Sequence, residues 1–241
     1  MTLSKKGALL IGLLAASTLI GCKSNLDVSK PCVAMLGDSI FALSGKETDA
    51  LEILSGETYR TYYISGAQMI GGFVKPIQEQ YYDAAEEGYI RTLILDGGGN
   101  DVLIGANKEC SAPYGDELSA ECYAVMDKVL EKTEEMAMVA AEAGVENFVY
   151  QAYYYVKYPS LWQVTDVFLA RAIELATRLD IENPDMKFVF VDPRDAFFDQ
   201  SYIGLDGIHP NAAGSQVLAN LLWEAMVEND IEQGNACPTE S

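Results

Sequence analysis

The chain has 241 residues, 49% of them hydrophobic and 22% charged, which excludes a disordered polymer, a fibrous repeat and a multi-span membrane protein. Acidic residues outnumber basic ones 36 to 16, for a formal net charge of −20, and so negative a surface repels phosphate backbones, so no nucleic-acid partner is expected. There is one histidine, His209, which rules out a zinc site of two or three imidazoles. Any chemistry that needs an imidazole must use this one, and neither a metal nor an organic cofactor is expected.

Lys5 and Lys6 precede an apolar run over 7–21 that only Ser17 and Thr18 interrupt. The run is shorter than the roughly 20 residues of a transmembrane helix, and its basic flank is that of a secretory signal. It ends in Leu19-Ile20-Gly21-Cys22, which resembles the bacterial lipobox. That resemblance implies diacylglycerol on the Cys22 thiol, cleavage before Cys22 and an exported chain anchored by lipid in the cell envelope. Lys23 stands where an aspartate would signal inner-membrane retention, so the outer membrane is the expected location in a Gram-negative cell. The expected organisation is a signal over 1–21, a lipidated tether over 22–31 and a single domain over 32–241, acting as a monomer.

Beyond the tether, apolar runs of strand length at 33–37, 58–65, 90–96, 145–152 and 187–192 alternate with helical segments. Leu118, Cys122, Val125, Val129 and Met136 recur at helical spacing within 116–143, as do Leu161, Val164, Phe168, Leu175 and Leu179 within 161–180. A last helix over 212–229 carries Leu218, Leu221, Leu222 and Ala225. Gly144 stands where a helix should end, and Pro184 follows the close of another. Strands alternating with helices predict an α/β fold, a three-layer α/β/α sandwich around a five-stranded parallel sheet.

Ligands of such sheets bind in the loops that follow the strands. Those loops are Gly37-Asp38-Ser39-Ile40, Ser65-Gly66-Ala67, Gly97-Gly98-Gly99-Asn100-Asp101 and, past a short connection, Leu205-Asp206-Gly207-Ile208-His209-Pro210. Every polar, glycine-rich island therefore falls on one rim. A serine hydroxyl needs a base to take its proton, and the base needs a third group to orient it. Ser39 at a strand-to-helix junction is the candidate nucleophile, His209 the candidate base, and Asp206, three residues earlier, its candidate partner. Gly66, Asn100 and the Ser39 N–H are candidate donors to an oxyanion; losing one such donor typically costs about 3–4 kcal/mol.

Taken in order, these islands resemble the four blocks of the SGNH (GDSL-type) hydrolases, from about Val33 to Leu222, with isoleucine at position 40 for the leucine of the family's name. The resemblance implies a flavodoxin-like sheet and serine ester hydrolysis. It assigns Ser39 as nucleophile, His209 as base, Asp206 as its partner, and Ser39, Gly66 and Asn100 as the oxyanion hole. Gly71 and Gly72 lie close enough to Gly66 to compete for its place. The expected substrate is a small-molecule or glycan ester, and a membrane is the expected partner through Cys22. The competing reading is a catalytically retired scaffold that serves as an envelope binding or assembly module.

Cys22 set aside, four cysteines remain, and an oxidising compartment suggests two disulfides. Cys32 opens the first strand at the bottom of the sheet and the closing helix carries Cys237 back towards it, so the expected pairs are Cys32–Cys237 and Cys110–Cys122. Tyr153-Tyr154-Tyr155, Tyr158 and Trp162 follow the fourth strand and could wall an acyl groove, stack on a sugar or simply pack. Gly97–Gly99 lacks the Lys-Ser/Thr of a phosphate loop.

Overall fold

The central strand segments Val33–Leu36 and Thr92–Leu95 are apolar but for Thr92 and buried throughout, as suits strands covered on both faces. The computed structural model, which describes residues 31–44 and 46–231, pairs β1 (Val33–Leu36), β2 (Arg60–Thr61), β3 (Thr92–Leu95), β4 (Asn147–Gln151) and β5 (Lys187–Val191) in one parallel sheet, in the order β2-β1-β3-β4-β5. Alternate side chains enter opposite cores. Val33, Met35, Ile94 and Val149 pack beneath Phe41 of α1 (Ser39–Ser44), Leu51 of α2 (Lys46–Ser55) and Leu222 of the closing helix. Ala34, Leu36, Leu93, Leu95 and Phe148 meet Tyr81 of α3 (Ile77–Glu87), Met136 of a long central helix and Leu179 of the helix after it. The connection after β3 holds a π-helical turn (Asp101–Gly105) and the short α4 (Asn107–Cys110). The long helices are α5 (Ala120–Glu142), α6 (Trp162–Glu182) and α7 (Ala212–Glu228). No helix among the described residues is long and apolar enough to cross a membrane.

Several boundaries differ from the sequence expectation. The run at 58–65 pairs as a strand over two residues only, because past Thr61 single N–H bonds, Tyr62 to Met35 O (2.9 Å) and Ile64 to Gly37 O (3.0 Å), replace the ladder. The helix expected from 116 starts at Ala120, where the Ser119 hydroxyl caps it by accepting the Cys122 N–H (3.0 Å). α3 carries little apolar signal, since its buried face is Ile77, Gln80, Tyr81 and Ala84, with an amide among them.

Cys110 and Cys122 form a disulfide across a 12-residue separation, as the sequence suggested. Both are fully buried against Leu118, Met126, Leu161 and Val164. Cys32 is half of another disulfide, but Cys237, like Cys22, lies outside the described residues. Replacing Cys110 and Cys122 by serine is expected to cost about 3 kcal/mol from released loop entropy. For a domain of this size that lowers the melting temperature by roughly 6–12 °C. Calorimetry of the double variant measures it, and an unchanged midpoint would show that the bridge leaves stability untouched.

Candidate active site

In this strand order the direction of winding reverses between β1 and β3, and the crevice for a ligand lies at their carboxyl ends. The pairing of Leu36 with Leu95 makes Gly37 and Asp96 neighbours at that point. A Cβ on Gly37 would stand 1.8 Å from Asp96 Oδ1, and its φ of +147° also favours glycine. Gln80 grips this glycine from both sides, its carbonyl accepting the Gly37 N–H (2.8 Å) and its amide donating to Gly37 O (3.0 Å). The Asp38 N–H donates to Asp96 Oδ1 (2.7 Å), and Asp38 Oδ1 accepts the Ile40 N–H (3.0 Å). Asp38 therefore does cap α1, and the capped turn presents Ser39, the first residue of the helix.

The Ser39 hydroxyl lies 2.8 Å from His209 Nε2. On the other side of the ring, Nδ1 is 2.7 Å from Asp206 Oδ2. The second oxygen, Oδ1, accepts the backbone N–H groups of Ile208 (2.9 Å) and His209 (3.0 Å), so that Asp206 closes a turn on itself. Partial burial pushes the Asp206 carboxyl up, but the Ile208 N–H, the imidazole and the His209 N–H outweigh it and hold it at about 2. An anionic acceptor on Nδ1–H leaves the Nε2 lone pair directed at the serine hydroxyl. The three groups thus meet although Ser39 and His209 are 170 residues apart.

Asn100 joins the remaining islands. Its Nδ2 donates to Ala67 O (3.0 Å) and lies 3.2 Å from Asp38 Oδ2, and Gln68 Nε2 donates to Asn100 O (3.0 Å). The amide therefore links the loop of Gly66 to the loop of Ser39. Both amide hydrogens have protein acceptors, so for Asn100 to hold an oxyanion the longer contact, to Asp38, must yield. The backbone N–H groups of Ser39 and Gly66 have no acceptor among the described residues. Gly66 has a φ of +85°, a conformation natural to glycine. Asp101 brackets the same loop by accepting the N–H groups of Met69 (2.8 Å) and Ile70 (2.9 Å).

The tyrosine run contributes what sequence reading left open. The Tyr153 hydroxyl donates to Asp38 Oδ2 (2.7 Å), and its ring lies where a Cβ on Gly99 would be, 2.6 Å away. Tyr154 stacks on Phe197 at 4.0 Å and donates to Ile208 O (2.7 Å). Lys157 donates its N–H to Gly207 O (2.8 Å) and its ammonium to Ile203 O (3.0 Å) and Gly204 O (3.2 Å). Tyr158 donates to Asp206 O (2.8 Å). One loop after β4 thereby holds both the serine side and the histidine side. Lys157 was not singled out from sequence; its position one residue before Tyr158, on the carboxyl rim, was the available signal.

No family model matches the chain, and a search of curated proteins found no match. Solved structures do resemble it. A candidate SGNH hydrolase from Slackia heliotrinireducens is 18% identical, with a TM-score of 0.51, over 80% of this chain and 97% of that one. The lipase Lip_vut3 from a goat rumen metagenome is 19% identical, with a TM-score of 0.56, over 80% and 96%. The acetyl xylan esterase AlAXEase is 15% identical, with a TM-score of 0.52, over 80% and 98%. The strand order, the parallel pairing and these likenesses together give the chain the fold of the SGNH hydrolases.

Proposed function

We propose that this chain is a serine hydrolase of carboxylic esters, exported and held at the cell envelope by lipid on Cys22. The observation that carries the reading is the unbroken pair of contacts Ser39 Oγ–His209 Nε2 (2.8 Å) and His209 Nδ1–Asp206 Oδ2 (2.7 Å). In the proposed reaction the Ser39 oxygen attacks the ester carbonyl and its proton passes to Nε2. The Asp206 carboxylate stabilises the imidazolium so formed. The N–H groups of Ser39 and Gly66, with the Asn100 amide, hold the negative oxygen of the tetrahedral intermediate. Collapse breaks the bond to the alcohol, which leaves with the proton from His209. Water, deprotonated by His209, then attacks the acyl-serine and releases the acid. The named esterase and lipase activities of the structural neighbours support the same reaction class.

The test is labelling of the purified full-length protein by a fluorophosphonate, read by mass spectrometry, beside hydrolysis of nitrophenyl esters. An adduct on Ser39 with turnover is expected. Absence of both would overturn the proposal and favour the retired scaffold. Tyr158 and Lys157 act here as positioning residues for the Asp206 turn. Tyr158→Phe is expected to lower kcat roughly two- to tenfold, the worth of one hydrogen bond, with KM little moved. Steady-state kinetics checks this, and an unchanged kcat would show that the turn holds itself.

A further inference from the structure

Two donors of the site share one acceptor. Asp38 Oδ2 takes the Tyr153 hydroxyl at 2.7 Å and the Asn100 amide at 3.2 Å. Its other oxygen accepts the Ile40 N–H (3.0 Å), and the side chain is buried. Accepting from all three groups is the behaviour of an ionised carboxyl. Tyr153 also touches the asparagine loop directly: its ring lies 2.6 Å from where a Cβ would stand on Gly99, the residue before Asn100. Only a glycine at 99 leaves room for that ring, which sets the hydroxyl against Asp38 although the two residues are 115 apart in sequence. A carboxylate oxygen that holds a short O–H bond gives up a second, longer donor at lower cost than one with no other partner. Without the Tyr153 hydroxyl, the buried Oδ2 would have the Asn100 amide alone and would hold it harder.

We propose that Tyr153 is a positioning residue of the oxyanion hole: its hydroxyl occupies Asp38 Oδ2 and so releases the Asn100 amide hydrogen to the negative oxygen of the tetrahedral intermediate. The inference rests on the ester-hydrolase reading. No proton changes hands in this step, since the Tyr153 hydrogen stays on its own oxygen. The Asn100 N–H leaves Asp38 for the oxyanion as the Ser39 oxygen bonds to the carbonyl carbon, and it returns as the intermediate collapses. The effect is felt only once negative charge has developed, so it belongs to kcat and not to substrate binding. Losing an oxyanion donor outright costs on the order of 10²–10³-fold in kcat, and a donor held back rather than lost costs part of that.

The experiment is a double-mutant cycle in the full-length protein, Tyr153→Phe with Asn100→Ala, read as kcat and KM on a nitrophenyl ester. Phenylalanine keeps the ring against Gly99 and removes only the hydroxyl. Tyr153→Phe should lower kcat on the order of tenfold, the worth of one hydrogen bond, with KM within about twofold of native. In the Asn100→Ala protein the same substitution should cost less than about twofold, since no amide remains for Asp38 to hold. Adding Asp38→Asn to Tyr153→Phe removes the charge that holds the amide, while its carbonyl can still accept the Ile40 N–H, and should recover most of the lost kcat. That pair also carries the test if Tyr153→Phe alone does not fold, by turning over well above Asn100→Ala. An unchanged kcat in Tyr153→Phe, losses that multiply in full with Asn100→Ala, or an Asp38→Asn pair as slow as Asn100→Ala overturns the positioning role and leaves the hydrolase reading standing. No turnover by the native protein, with no fluorophosphonate adduct on Ser39, overturns both.

Discussion

Ser39→Ala is expected to lower ester turnover by on the order of 10⁴–10⁶-fold while the melting temperature stays within about 2 °C. The size follows from the unit that Ser39, His209 and Asp206 form: once the nucleophile is gone, the base has no proton to take, and only the oxyanion donors and substrate binding still act. The small effect on stability follows from the position. Ser39 is the first residue of α1, where the Ile40 N–H is already satisfied by Asp38 rather than by the serine. Asp206→Asn should be nearly as severe, on the order of 10³–10⁴-fold, because an amide can present its NH₂ to Nδ1 and so favour the wrong tautomer. Kinetics with nitrophenyl butyrate and calorimetry of both variants check the pair. Retained turnover in Ser39→Ala would remove Ser39 as the nucleophile.

The rim was legible from sequence because the two central strands, β1 and β3, are almost wholly apolar and end abruptly in glycine and polar residues. Gly37-Asp38-Ser39 and Gly98-Gly99-Asn100 stand out against Val33–Leu36 and Thr92–Leu95 without any knowledge of contacts, and Asp206-Gly207-Ile208-His209 stands out by holding the one histidine of the chain. What could not be read is information held in register. That Gly37 lies against Asp96 depends on which residue of β1 faces which residue of β3, and no local period encodes it. α3 escaped for a related reason, since its inner face spends Gln80 on the two backbone groups of Gly37 rather than on apolar packing. The grip of Tyr154, Lys157 and Tyr158 on the Asp206 loop is made by side-chain donors to backbone carbonyls more than 40 residues away. Carbonyls have no residue identity, so such bonds leave no trace in the sequence of the acceptor.

Glu47→Gln is expected to stabilise the protein at pH 8 by about 1–3 kcal/mol and to leave it unchanged near pH 4. Glu47 lies on α2 with no exposed surface, and neither carboxyl oxygen has a hydrogen bond of ordinary geometry among the described residues. Burial pushes its carboxyl well above the usual range, against a smaller opposing effect of the nearby Gln151 amide. Asp96 is pushed the same way, first by burial and then by the charge of Asp38. A carboxyl raised on folding binds its proton more tightly in the native state than in the unfolded chain. Its contribution is therefore complete below the unfolded value of about 4 and is lost as the pH rises towards the native one. Asp206, held at about 2, has the opposite sign: its contribution is present above about 4 and fades as the pH falls towards 2. Native stability should thus decline as the pH rises from 5 to 8, and removing the Glu47 ionisation should flatten that slope, opening a gap of a few degrees in melting temperature at pH 8. Asparagine at position 96 should flatten it further, since Asp38 N–H would keep its carbonyl acceptor. Thermal melts of the native protein and Glu47→Gln at half-unit intervals measure the gap. A difference between them that is constant from pH 4 to pH 8 would show that Glu47 ionises no differently in the folded and unfolded chain.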